Sequence, residues 1–86
     1  MIPKFGKGVK LRRDGDGSAM LLVPEGALML NEPAAATLEL IDGKRSIDEI
    51  AESLVARFDV ELECARKDVG DLIDRLVQRG FLVPAP

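Results

Sequence analysis

The stretch Ala19-Met20-Leu21-Leu22-Val23-Pro24-Glu25-Gly26-Ala27-Leu28-Met29-Leu30-Asn31-Glu32-Pro33 decides how the rest of the chain is read. It begins as an apolar run of strand length, is broken at Pro24-Glu25-Gly26, and resumes as Ala27-Leu28-Met29-Leu30. Proline cannot donate to a ladder, so Pro24 ends or bulges the first run. The second run is then the return strand of a hairpin. Asn31 next offers a side-chain oxygen to a helix start. Pro33 fits the first turn, where a missing N–H is no loss. The spacing therefore predicts a switch from strands to helices near residue 31.

Before this stretch, Val9-Lys10-Leu11-Arg12 alternates apolar and polar residues, as a half-buried strand does. Asp14-Gly15-Asp16-Gly17 is a dense turn signal that joins it to the run at Ala19. After the stretch, the first helix is expected to run to about Asp42, with Gly43 as its stop. Ser46-Ile47-Asp48-Glu49 has the capping-box spacing. Ile47, Ile50, Leu54, Val55 and Phe58 then share one helix face. A third helix is expected from about Leu62 to Arg79, with its stripe at Leu62, Ala65, Val69, Leu72, Ile73 and Leu76. Gly80 ends it, and Phe81-Leu82-Val83 is read as a short strand tucking back. Gly70 breaks the helix pattern, and close helix packing is one reason a glycine would sit there. Strands followed by helices, with no alternation, give an α+β class. The expected architecture is winged-helix-like, a three-stranded antiparallel sheet followed by a three-helix bundle, in a single domain over residues 1–86.

Composition narrows the function. The 86 residues are 47% hydrophobic and 31% charged, which suits a folded chain. The three Phe are the only aromatic residues, so the core is aliphatic. The formal charge of −3 lacks the basic surplus that phosphate binding demands, which disfavours nucleic acid and anionic membrane as partners. Residues 61–80 hold five acids (Glu61, Glu63, Asp68, Asp71, Asp74) against four bases (Arg66, Lys67, Arg75, Arg79). That is a poor recognition helix for a winged-helix DNA-binding protein, the rival the fold class raises. No apolar run is long enough for a bilayer. Cys64 is the sole cysteine, so no disulfide closes within the chain, and a cytoplasmic setting is expected.

Chemical motifs do not assemble. Asp14, Asp16, Ser18 and Glu25 fall at calcium-loop spacing, but Ala19 occupies the place where that loop needs Gly. Gly6-Lys7-Gly8 lacks the spacing of a phosphate loop and reads as a flexible lead-in. With no His and one Cys, a metal site and an activated thiol are both disfavoured. One cysteine also cannot hold an iron–sulfur cluster. No catalytic residue, metal or cofactor is expected.

Several separated motifs nevertheless agree with one family. Pro3-Lys4-Phe5-Gly6-x-Gly8-Val9-x-Leu11-Arg12, Leu21-Leu22-Val23-Pro24-Glu25-Gly26 and Leu30-Asn31-x-x-Ala34 follow in order. Asp42-Gly43-x-x-Ser46-x-x-Glu49-Ile50, Asp68-Val69-x-x-Leu72 and Arg79-Gly80-Phe81-Leu82 complete the set. Across nearly its whole length the chain resembles the PqqD family, with Met20 near the place where that family often carries Trp. The resemblance implies a non-enzymatic peptide chaperone of pyrroloquinoline quinone biosynthesis. Such a protein binds the ribosomally made precursor peptide and associates with the radical S-adenosylmethionine enzyme that cross-links a Glu and a Tyr in it. PqqD-like domains also serve other modified peptides, which leaves a second pathway open.

An open strand edge gives this binding a physical route, because unpaired N–H and C=O groups accept an extended peptide as a further strand. The expected acceptor is Gly26, Ala27, Leu28, Met29 and Leu30, with Leu28 and Leu30 turned toward the helices. The resemblance places the groove between that strand and the first helix, making Ala34, Ala35 and Leu38 its second wall. Arg66, Lys67, Arg75 and Arg79 are the candidates for contact with the partner enzyme. The same edge also permits a homodimer by self-pairing or exchange of an element.

Overall fold

A computed structural model describes residues 1–15 and 18–85. Its organising feature is the hairpin read first. Strand β3 (Ala19–Val23) turns at Pro24-Glu25 and returns as β4 (Gly26–Leu30), with Leu21 opposite Leu28 and Val23 opposite Gly26. β2 (Lys10–Arg13) pairs with the other side of β3, giving an antiparallel sheet of order β2-β3-β4. Alternation sends Leu11, Leu21, Leu28 and Leu30 toward the helices, while Arg12, Met20 and Met29 take the opposite face. Of the Asp14–Gly17 turn, Asp16 and Gly17 lie outside the described residues. Asp14 and Ser18 close the described part of it, through the Asp14 N–H donating to the Ser18 carbonyl at 2.9 Å.

Helix α1 (Glu32–Glu39) is capped by Asn31, whose side chain accepts the Ala34 N–H at 2.9 Å. It stops three residues short of the expected Asp42. The reason is local: the Asp42 carboxylate accepts the N–H groups of Lys44 and Arg45, each at 2.9 Å. This Asx turn competes with helix continuation. Gly43, expected as the stop, sits inside that turn at φ +77°. Helix α2 (Ile47–Phe58) opens with the full capping box, Ser46 and Glu49 bonding each other's backbone. Helix α3 (Leu62–Gln78) ends in a Schellman motif, with the Phe81 N–H on the Leu76 carbonyl and Gly80 at φ +79°.

The sheet and helices close over Leu21, Leu38, Ile50, Val69, Ile73 and Leu82, each at most 1% exposed. The expected return strand forms as β5 (Leu82–Pro84), and its partner is the N-terminal segment β1 (Pro3–Phe5). The lead-in read as flexible is thus tied down, and Gly6 continues the connection by donating to the Phe81 carbonyl at 2.9 Å. Gly70 corrects another expectation. A methyl group there would meet nothing within 4 Å, so close helix packing does not explain it.

Candidate groove between the β4 edge and helix α3

The three-stranded sheet has two free edges, and they differ chemically. β2 carries Lys10, Arg12 and Arg13 in four residues, the charge pattern that discourages further pairing. Arg13 is also held across the helices, bonding Glu32 and Glu39 of α1, while Arg57 of α2 joins the same two carboxylates. β4, Gly26-Ala-Leu-Met-Leu, has no charge at all. Alternate N–H and C=O groups along it point away from β3 and find no further strand among the described residues.

Beside that edge lies a groove of about 900 Å³. It is lined by Leu28, Met29 and Leu30 of β4, by Leu54, Phe58 and Val60 in and just after α2, and by residues of α3. Its lining is largely apolar, and it includes Val60, 41% exposed; Met29, 71% exposed, borders it from the strand edge with its side chain on the sheet's other face. Exposed apolar surface gathered in one concavity marks a binding site better than scattered apolar residues do.

The residues expected to form the site divide. Leu28, Met29 and Leu30 line the groove; Gly26 and Ala27 lie exposed on the same edge without lining it. Ala34 lines it with Pro33 and Thr37. Ala35 and Leu38 do not: both are fully buried, turned inward to the core by the helix period. The second wall is therefore chiefly α3, with α1 contributing Pro33, Ala34 and Thr37. Arg75 and Arg79, assigned to a partner enzyme, line the groove, whereas Arg66 bonds Asp48 of α2 at 3.2 Å and Lys67 lies on the exposed side away from it.

What sequence reasoning missed is the stripe Asp68, Leu72, Arg75 and Arg79. At about 100° per residue these four fall within roughly 60° of one another on α3. Leu72, on the apolar stripe of the third helix, is only half-buried. Its charged neighbours at i−4, i+3 and i+7 were the available signal, because a leucine sharing its face with charges borders an open surface.

Cys64 is exposed, and no cluster of three or more metal-binding side chains forms among the described residues. Nor is any described helix long and apolar enough to cross a membrane.

A three-stranded sheet with one uncharged open edge, facing an amphipathic helix across an apolar groove, makes this a winged-helix-like α+β domain. Residues 18–82 match the family model described as Coenzyme PQQ synthesis protein D (PqqD). The chain belongs to the PqqD family. It is 33% identical over 82 residues to the PqqA binding protein of Rhizobium meliloti (strain 1021), covering 94% of this chain and 84% of that one. The solution structure of the PqqD truncation of Methylobacterium extorquens PqqCD, a functional stand-alone recognition element for ribosomally synthesized and modified peptides, superposes with a TM-score of 0.80. That match has 30% identity and covers 94% of this chain and 87% of the other. Lasso peptide synthetase B1, solved with its leader peptide, shares the fold at a TM-score of 0.81 and 22% identity, over 98% of this chain and 100% of that one.

Proposed function

We propose that this chain is a non-catalytic recognition domain of pyrroloquinoline quinone biosynthesis, acting as one unit over its 86 residues. It binds the ribosomally made precursor peptide in extended form and presents it to a radical S-adenosylmethionine enzyme. The observation that carries this reading is the uncharged β4 edge standing open beside an apolar groove. A peptide laid along β4 satisfies the outward backbone groups, and its alternate side chains enter the space before α3. The Rhizobium relative's name as a PqqA binding protein supports the same assignment.

Pairing through main-chain groups contributes affinity with little sequence preference, and ordering a flexible peptide costs several kcal/mol. Binding near 1 μM, about −8 kcal/mol, is the expected scale for the isolated domain. The test is an amide-shift titration of the labelled protein with the precursor peptide PqqA. Saturable shifts concentrated at Leu28–Leu30 and at Asp68–Arg79 are expected. Leu72→Glu, which places a charge on the groove wall, should weaken binding by about tenfold or more while preserving the fold. Absence of shifts in a folded sample at millimolar peptide would refute the assignment.

A further inference from the structure

The wall that α3 presents to the groove is graded in charge along its axis. Asp68 lies at one end, with Asp71 beside it on the rim, then Leu72, then Arg75 and Arg79. None of these four charged groups is held in an ion pair among the described residues, although Asp71 and Arg75 stand at the i, i+4 spacing that favours one. The other arginines in the helical half, Arg45, Arg57 and Arg66, all have carboxylate partners. The groove therefore keeps unpaired charges of both signs, separated, on either side of a half-buried leucine.

Helix and strand geometry convert this grading into a peptide pattern. Along α3, at about 1.5 Å per residue, Leu72 lies about 6 Å from Asp68, and the middle of the Arg75–Arg79 pair lies about 13.5 Å from it. An extended peptide advances about 3.3 Å per residue, and every second side chain faces the same way, giving rises of about 6.6 Å and 13.2 Å at i+2 and i+4. For a peptide strand running along the α3 axis the two ladders coincide.

We infer that the groove selects a strand carrying a base, an apolar residue and an acid at alternate positions, facing Asp68, Leu72 and Arg75–Arg79 respectively. This rests on the peptide-binding reading above and adds the specificity of the site: Asp68, Arg75 and Arg79 fix the register and direction of a peptide that the β4 edge alone would accept in several. A slip by two residues sets the base against Leu72 or the acid opposite an empty stretch. Reversing the chain direction sets like charges together, which costs more than a missing pair.

Selection from a library of random twelve-residue peptides displayed on phage tests the inference with the full chain. The wild type should enrich base-x-apolar-x-acid sequences in one chain direction. The charge-inverted protein, Asp68→Lys and Asp71→Lys with Arg75→Glu and Arg79→Glu, should enrich the opposite order. A selected peptide should lose about fivefold or more in affinity when its base and acid are exchanged, and less at high salt. Asp68→Asn with Arg75→Gln and Arg79→Gln, a milder change, should abolish the preference for order. Enrichment of alternating apolar peptides without the charge pair, bound alike by wild type and variants, would overturn the inference and leave the groove reading intact. No enrichment by the folded wild type would overturn both.

Discussion

Glu39, near the end of α1, accepts hydrogen bonds from Arg13 of β2 and Arg57 of α2 and so ties the sheet to two helices. The Arg13 bond, with smaller contributions from its charge and from Arg57, holds the carboxyl below its ordinary 4.5. Asp42 is held below its ordinary 3.8 by the backbone N–H groups of Arg45 and Lys44. A carboxylate more acidic in the fold than in the unfolded chain stabilises the fold fully above its unfolded pKa, and loses that contribution as pH falls through the folded value. Thermal stability should therefore be flat near neutrality and decline below about pH 4.5. Glu39→Gln should lower Tm at pH 7, lower it far less at pH 3, and so flatten the acid limb. Both groups are exposed, so the effect is modest and should shrink in high salt. Gly6 has a different role. A methyl group on it would lie 2.8 Å from the Gly80 carbonyl oxygen and 3.3 Å from that of Phe81. Gly6→Ala should cost about 1–3 kcal/mol, measured by urea unfolding, because both obstructing atoms are backbone and cannot rotate away.

At the scale of elements, α3 contains its own test. Gly70 is helical and a Cβ there meets nothing, so Gly70→Ala should stabilise the protein by about 0.5–1 kcal/mol without changing peptide affinity. A loss of stability would mean that the glycine admits a contact absent from this structure. The helices were legible in the sequence wherever the terminating chemistry is local. Ser46 and Glu49 cap α2, and Gly80 ends α3 close to where their residue types predict. The end of α1 was not, because Gly43 gave a stop signal while the earlier Asp42 turn made the decision. The β1–β5 pairing was half legible: the tail's short apolar run predicts a strand, but no local pattern names a partner nearly eighty residues away. The groove followed the same division. Its β4 side is read from a Pro-broken apolar run, whereas its α3 wall depends on how the helices cross, which pattern alone does not specify.

For the whole molecule, the arrangement separates stability from recognition. The core runs from Leu21 through Leu38, Ile50 and Ile73 to Leu82. The charged β2 edge is anchored to α1, while the uncharged β4 edge is left open beside the groove. In the proposed function the open β4 edge takes the peptide and the charged β2 edge does not. Hydrogen–deuterium exchange of the full chain, with and without saturating precursor peptide PqqA, tests this claim most directly. The account predicts that alternate amides of Gly26–Leu30 slow on binding, while those of Lys10–Arg13 exchange at unchanged rates. Protection of the β2 amides with β4 unaffected, or binding with neither edge protected, would contradict it.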